Sequence, residues 1–221
     1  MRMLSSERFP GGKPEMRTAM SGHGGGAGAR GAAIIQGHPD SGERHLCHAL
    51  ADAYAEGATA AGHAVSRIEV AQLDFPILRT AEDFQRSVLP EALIPARDAI
   101  VSARHLVIVF PLWFGTMPAL LKAFLEQAMR PGVAFEYRAH GFPRALLSGR
   151  SARIVVTMGM PAPIYRWWFG AHGVRGLERN VLRFVGLRPV RETLLGSVGE
   201  ASETRRGEWL ARMKRHGAGL L

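Results

Sequence analysis

Short apolar runs alternate with amphipathic stretches along most of the chain. The pattern predicts strands over 32–37, 63–70, 105–110, 152–157 and 190–195. Most of these runs are continuously apolar, which is typical of strands buried on both faces of a parallel sheet. Apolar residues recur at helical spacing from Leu46 to near Gly62, and over 91–103, 118–129, 177–185 and 203–216. Five strands joined by right-handed helical crossovers predict a three-layer α/β domain.

Three loops follow strands of this predicted sheet and carry candidate chemistry. They span residues 37–45, 111–118 and 158–163. Open α/β sheets bind ligands at the carboxyl ends of their strands, at the point where the strand order reverses. In the order 2-1-3-4-5 this point lies between the first and third strands, so the three loops are expected to converge at one crevice.

The first loop has the features of an anion site. It joins a strand to the amino end of a helix, where free N–H groups and the helix dipole favour negative charge. Ser41 adds a hydroxyl, and Arg44 and His45 add cationic donors. This junction lacks the Gly-x-Gly-x-x-Gly and Gly-Lys-Ser/Thr patterns of dinucleotide and P-loop sites. A simple phosphate-binding loop remains.

The second and third loops offer a flat apolar surface and exposed main chain. Pro111 is expected to end sheet hydrogen bonding and Gly115 to permit a tight turn, with Trp113 and Phe114 between them. The third loop contributes the main chain around Gly159. A phosphate site beside an aromatic surface suits a flavin, and N–H donors could stabilise its reduced ring. The alternative for the two aromatics is ordinary packing in the core.

The positive charge is concentrated in one segment. The chain carries a net charge of +9, and residues 130–191 contain eleven Arg and no Lys against Glu136 and Glu178. This segment suggests a positive mouth that attracts a phosphate-bearing ligand, and an Arg-rich solvated face is the alternative. The Arg residues are scattered and no DNA-reading motif accompanies them, so no nucleic-acid partner is expected.

Composition bounds the domain count and the location. A chain of 221 residues with 47% hydrophobic residues can form one large domain. The single cysteine gives no reason to expect an oxidising compartment, so the cytoplasm is the expected location. The lack of a long apolar run predicts no membrane span. The chain contains no His-x-x-x-His pair with a partnered carboxylate, so no metal is expected. Residues 1–31 hold eight Gly and a net charge of about +3, which predicts a disordered tail before a domain over 32–221.

Four segments of the chain resemble the flavodoxin-like NAD(P)H:quinone oxidoreductase family, including its short bacterial members. They are His38-Pro39, residues 110–122 beginning Phe-Pro-Leu-Trp-Phe-Gly, residues 130–137 (Arg-Pro-Gly-Val-Ala-Phe-Glu-Tyr), and the block 157–173. They occur in order within a resemblance that runs from about 32 to 210. It implies a flavodoxin-like fold, bound FMN or FAD, NAD(P)H as co-substrate, and a homodimer.

The resemblance also implies candidate site residues. The loop that holds the flavin phosphate in this family corresponds to His38, Ser41, Arg44, His45, Leu46 and Cys47. The isoalloxazine would lie along Pro111, Leu112, Trp113, Phe114 and Gly115, and its far edge would meet Thr157, Met158, Gly159 and Met160. Tyr165 and His172 are the nearest counterparts of the Tyr and His that take up charge in hydride transfer. Their spacing of seven, the Gly159-Met160 pair and the long first loop depart from the family pattern.

These features predict a flavoenzyme in which NAD(P)H reduces the flavin, leaves, and is replaced by a quinone or similar planar acceptor, giving ping-pong kinetics. Some relatives sit on potassium-efflux transporters, so a nucleotide-binding regulatory subunit is an alternative. A packing role is also open for Cys47, because the reaction needs no thiolate.

Overall fold

The computed structural model describes residues 31–86 and 88–221, so all of the predicted tail except Gly31 lies outside the described residues. Its strands are β1 (Gly31–Gln36), β2 (Ala64–Glu69), β3 (His105–Pro111), β4 (Phe135–Glu136), β5 (Arg144–Ala145), β6 (Ser151–Thr157) and β7 (Val190–Leu195). Five of them form a parallel sheet of order β2-β1-β3-β6-β7. Counted over these long strands, this is the predicted order 2-1-3-4-5, and the flavodoxin-like fold is confirmed.

Helices cover both faces of the sheet. They are α1 (Leu46–Ala60), α2 (Ala81–Arg86), α3 (Ile94–Ser102), α4 (Ala119–Ala128), α5 (His172–Gly176) and α6 (Glu203–Gly219), with 3-10 turns at Val70–Gln72 and Glu91–Leu93 and π-helical segments at Ile164–Trp168 and Leu177–Leu182. Helices α1 and α6 pack on one face of the sheet. The apolar cluster on the other face contains residues of α3, α4, α5 and the two π-helical segments. None of the described helices combines the length and the apolar character needed to cross a membrane.

Strand β3 divides the core in two. Ile108 and Phe110 point into one apolar cluster, whereas Val107 and Val109 point into the other. All four side chains are buried, as expected for a central parallel strand whose successive side chains alternate between faces. The apolar run 105–110, one of the five predicted strands, is therefore the centre of the fold.

The structure differs from the sequence-based expectations in three local features. Pro111 does not end the pairing of β3, because the next N–H, that of Leu112, donates to the Thr157 oxygen at 2.8 Å. Helix α2 was not predicted, and its first turn is stabilised by a 3.0 Å hydrogen bond from the Asp83 N–H to the Thr80 hydroxyl. The antiparallel β4–β5 hairpin lies outside the five predicted strands.

Candidate functional site

The three candidate loops meet at the carboxyl edge of the sheet. The Gly37 N–H donates to the Val109 oxygen at 2.7 Å, which holds the first loop against β3. The main chain of the second loop is bonded to the end of β6 through Leu112 and Thr157. The rings of His38 and Trp113 lie 6.4 Å apart in an edge-on arrangement. The predicted convergence is therefore present.

Three imidazoles line the first loop and the start of α1. The His38 ring stacks on the His45 ring at 3.9 Å, and the His48 ring lies 5.6 Å from His38. Burial, and next the proximity of His45, lower the pKa of His38. Burial is also the main cause that lowers the pKa of His48. Because both pKa values are depressed, these two rings act as neutral hydrogen-bonding groups at neutral pH rather than as cations.

Both cationic donors predicted in the first loop have acidic partners within the protein. The Arg44 guanidinium pairs with Asp52 on α1. The His45 Nε2 atom lies 2.7 Å from a carboxylate oxygen of Asp40, and this bond is the main cause that lowers the pKa of Asp40. A phosphate would have to exchange with these partners to contact either side chain. Ser41 is exposed and Leu46 is half-buried.

The second loop presents its aromatic side chains to solvent. Trp113 and Thr116 exchange two main-chain hydrogen bonds of 2.9 and 3.0 Å. Phe114 and Gly115 between them have φ values of 47° and 78°, as in a type I′ turn. Trp113 is 50% exposed and Phe114 is fully exposed, so ordinary core packing is the wrong interpretation for this pair. Pro111 and Leu112 are half-buried beneath the turn.

The third loop is held by main-chain hydrogen bonds to the segment after β7: the Ser197 N–H donates to the Met160 oxygen at 3.0 Å and the Val198 N–H to the Met158 oxygen at 3.2 Å. Met158 is buried, Met160 is half-buried, and Gly159 is exposed with open space beside it. The Thr157 hydroxyl is engaged with the Cys47 sulfur at 3.1 Å. Cys47 is 1% exposed, and burial raises the pKa of its thiol to about 12, which favours the packing role for its side chain.

Tyr165 and His172 lie in different environments. Tyr165 is 1% exposed. Its hydroxyl donates to the Gly115 oxygen at 2.8 Å and accepts from the Val174 N–H at 3.3 Å. Burial raises the pKa of this hydroxyl. His172 is exposed at the start of α5, so only His172 presents its side chain to solvent.

Two site residues were missed by sequence reasoning. A Cβ on Gly173 would lie 2.2 Å from the Gly115 oxygen and 2.7 Å from the Thr116 Cα, so only glycine lets α5 pack on the second loop. Gln36 is buried at the end of β1, where its Oε1 accepts from the His38 N–H at 3.2 Å. Its Nε2 has no hydrogen-bond partner among the described residues. A buried amide ending an apolar run was the available signal for Gln36.

Seven of the eleven Arg residues of 130–191 are ion-paired or lie at the opposite edge of the sheet, which argues against the interpretation as a positive mouth. Three of them form ion pairs: Arg144 with Glu136, Arg166 with Glu192, and Arg183 with Glu178. Others belong to the starts of β6 and β7, at the opposite edge of the sheet: Arg150, Arg153, Arg188 and Arg191. The Arg residues are close together in the sequence, but the two ends of a strand lie at opposite edges of the sheet.

One group of potential metal ligands occurs in the described part of the chain. Ligand atoms of Asp40, Glu43 and His45 lie within 4.8 Å of one another. Two of these residues already bond each other, and carboxylates in exposed loops often gather without a metal. The prediction that the protein uses no metal stays a prediction.

Comparisons with known proteins agree with this architecture. A protein from Hahella chejuensis named FMN-dependent NADH:quinone oxidoreductase 1 is 34% identical over 113 residues, which are 51% of each chain. A Haemophilus influenzae protein named uncharacterized NAD(P)H oxidoreductase is 26% identical over 75% of this chain and 83% of its own. The match to the first of these relatives thus spans about half of its length.

Solved structures share the fold. A Streptococcus mutans protein superposes with a TM-score of 0.71 at 23% identity, covering 86% of this chain and 99% of its own. An NAD(P)H:quinone oxidoreductase from Methanothermobacter marburgensis gives a TM-score of 0.69 at 23% identity over 87% of this chain and 97% of its own. The family described as having the flavodoxin-like fold matches residues 32–216. The chain therefore belongs to that family, as the sequence predicted.

Proposed function

We propose that the protein is a flavin-dependent NAD(P)H oxidoreductase that passes a hydride from NAD(P)H through bound flavin to a quinone or similar planar acceptor. The observation that carries this proposal is the exposed turn of Trp113 and Phe114. It follows β3, whose neighbours β1 and β6 lead into the first and third loops. The names of the Hahella chejuensis and Haemophilus influenzae relatives support the same chemistry.

The residues around the crevice fit a flavin nucleotide. Helix α1 begins directly after the first loop, and the N–H groups of a first helical turn favour a phosphate, although the His48 N–H already donates to the His45 oxygen at 3.0 Å. The Gln36 Nε2 atom is a buried donor without a partner among the described residues, so it is available to a bound group that reorganises this loop. The exposed indole of Trp113 offers a flat surface for a ring. FMN is favoured over FAD because the Hahella relative is named FMN-dependent.

A bound flavin would supply the two-electron carrier, and the chain's own groups would position the reactants. The turn at Trp113–Gly115 would orient the ring and a stacked nicotinamide or quinone at reacting distance. Exposed main chain at Gly159 would donate hydrogen bonds to the ring edge that gains charge. Tyr165 would fix the turn through Gly115. His172, which is exposed, would exchange the proton that accompanies acceptor reduction.

A single open surface supports alternating use by the two substrates. NAD(P)H and a planar acceptor both need the exposed face of the ring, so the nucleotide must leave before the acceptor enters. This order predicts parallel lines in double-reciprocal plots of rate. The potassium-efflux alternative has no support among the relatives described above, whose names are those of oxidoreductases.

A homodimer also belongs to this proposal. The segment after the third loop exposes several large apolar side chains: Ile164, Trp167, Trp168 and Phe169, of which Trp167 and Trp168 are 78% and 84% exposed. Apolar patches of this kind mark interaction sites in soluble proteins. A second copy that covers this segment would wall the crevice beside His172. Sedimentation analysis of the wild-type chain and of Trp168→Ala tests the assembly.

Cofactor retention is the primary experiment. The full chain is expressed with added riboflavin, its visible spectrum is recorded, and the released cofactor is identified by mass. Anaerobic NADH or NADPH should bleach the flavin band, and a quinone should restore it. A preparation that retains neither FMN nor FAD when offered both would refute the proposal. Retention without bleaching would reject the oxidoreductase function while leaving flavin binding intact.

A further inference from the structure

A polar cavity lies at the edge of the sheet opposite the three loops. Its volume is about 520 Å³, and its lining includes the side chains of Arg104, His105, Arg150, Ser151, Arg188 and Leu220. These residues stand at the amino ends of β3, β6 and β7 and beyond α6. A strand of seven residues spans roughly 20 Å, so the cavity is separate from the proposed flavin site.

Three Arg residues approach this cavity from three different chain connections. Their main chains are bonded to one another or to the adjacent strand. The Ser151 N–H donates to the Arg104 oxygen at 3.2 Å, and the Arg188 N–H donates to the Arg150 oxygen at 2.8 Å. Arg104, Arg150 and Arg188 are thus presented from a rigid framework. None of the described residues that line the cavity is acidic.

The three guanidinium groups are not equivalent. Arg150 is partly buried, and its Nη1 atom donates to the Ile100 oxygen at 3.2 Å and to the Val101 oxygen. Burial, followed by the charge of Arg104, lowers the pKa of Arg150. Arg104 and Arg188 are exposed. Like charges held at one cavity repel each other, and an anion between them would remove that cost.

His105 lines this cavity and carries a buried ring nitrogen without a partner among the described residues. It is 1% exposed, and its Nδ1 atom lies 2.7 Å from the Ser151 hydroxyl. Its Nε2 atom is buried and has no hydrogen-bond partner in the described part of the chain. Buried polar atoms normally have a partner, and leaving one unpaired is unfavourable. Because this atom is not exposed to the cavity, a ligand oxygen would contact it only after the ring moves.

We propose that this cavity is a second ligand site, which binds a small anion carrying at least two phosphate groups. Arg104 and Arg188 supply bidentate donors that match phosphate oxygens, and Arg150, whose Nη1 atom is already bonded to main-chain oxygens, adds positive charge. The cavity is larger than a single phosphate requires. Leu220 provides an apolar wall for the rest of such a molecule. The inference does not rest on the proposed redox function.

Pyrophosphate is the probe for this site. Calorimetric titration at low salt, with the full chain free and saturated with FMN, should give the same binding in both states, because the site lies far from the first loop. Arg104→Gln and Arg188→Gln should each weaken pyrophosphate binding about tenfold, since each removes a charge-assisted hydrogen bond. Arg79→Gln removes one exposed charge before α2 and should leave the affinity unchanged.

Several outcomes would overturn the second site. They are the absence of pyrophosphate binding, equal weakening by Arg79→Gln, loss of binding on addition of FMN, and an affinity for orthophosphate equal to that for pyrophosphate. Circular dichroism establishes that each variant is folded. If a variant does not fold, nitrogen NMR of the wild-type chain replaces it, and the His105 Nε2 resonance should shift on addition of pyrophosphate. An unchanged resonance would also reject the site.

Discussion

The hydroxyl of Tyr165 donates a 2.8 Å hydrogen bond to the main-chain oxygen of Gly115. Tyr165 belongs to the segment that follows β6, whereas Gly115 closes the turn that exposes Trp113. The bond joins two of the three segments that form the crevice. A buried hydroxyl with two protein partners is well placed to fix this turn and poorly placed to touch a ligand. We therefore infer that Tyr165 is a positioning residue.

The substitution Tyr165→Phe should lower both stability and flavin affinity. It removes the donor to Gly115 and leaves the buried Val174 N–H without its acceptor. The expected loss in free energy of unfolding is about 1–2 kcal/mol. Urea unfolding and fluorescence titration with FMN measure the two effects.

The matched control is Tyr137→Phe, because the Tyr137 side chain is 58% exposed. It should change neither quantity. A positioning role also leaves the pH profile of turnover unaltered in Tyr165→Phe. Loss of an ionisation step from that profile would show instead that Tyr165 transfers a proton.

Substituting Gly173 should displace the second loop. A Cβ at this position would approach the Gly115 oxygen to 2.2 Å, a contact with main chain that no side-chain rotation relieves. Gly173→Ala should destabilise the fold by about 1–3 kcal/mol through overpacking and weaken FMN binding. Gly176→Ala lies in the same helix and meets no atom within 4 Å, so it should be neutral or slightly stabilising. Equal behaviour of the two variants in thermal unfolding would contradict the packing argument.

Replacing Phe114 by glycine is predicted to stabilise the fold and to weaken ligand binding. Its φ of 47° is strained for any residue other than glycine. Its ring is fully exposed, so burial of apolar surface does not offset this strain. Phe114→Gly should raise the free energy of unfolding by about 1 kcal/mol and weaken binding of FMN or NAD(P)H.

Ser197→Gly is the control for Phe114, because Ser197 also has a positive φ, of 54°, and carries no ring. It should give a similar gain in stability without a change in binding. Unfolding titrations and FMN titrations of both variants test the pair. If Phe114→Gly binds as tightly as the wild-type chain, Phe114 is not part of the ligand surface.

The sheet was predictable because its signals are local. The apolar runs mark the strands, and β7 has the predicted bounds while β1 and β3 differ by one residue. The convergence of the loops follows from strand order alone. Helix α2 was missed because its six residues are too few to show an apolar period, although Thr80 and Asp83 carry a capping signal.

Side-chain partners within the site were not predictable from spacing. Arg44 pairs with Asp52, which is eight residues further along the chain, on α1. Thr157 bonds Cys47, which is 110 positions away. Only the assembled fold brings such atoms together. The expectation that the Arg residues of 130–191 surround the crevice failed for the same reason. Counting charges along the chain does not distinguish the two edges of a sheet.

The buried His105 should make the protein less stable in mild acid. Burial, followed by the charges of Arg153 and Arg191, lowers the pKa of His105 to about 4. The Tyr54 ring stacks on the imidazole at 6.0 Å, and Ser151 bonds its Nδ1. Folding therefore favours the neutral ring. Its contribution is fully present above the unfolded pKa near 6.5 and is lost as the pH falls from that value toward 4.

Between pH 7.5 and 4.5 the expected loss in free energy of unfolding from His105 is about 2–3 kcal/mol. Urea unfolding in phosphate-free buffer at the two pH values measures it, because an anion in the nearby cavity would oppose the effect. His105→Asn should be less stable at pH 7.5, since it loses packing against Tyr54, but the difference between the two pH values should shrink by that amount. His140→Gln replaces an exposed imidazole and should retain the full difference. A His105→Asn variant with the wild-type pH dependence would assign acid sensitivity to other groups, of which His216 is the first to test, because burial and neighbouring Arg residues also lower its pKa to about 4.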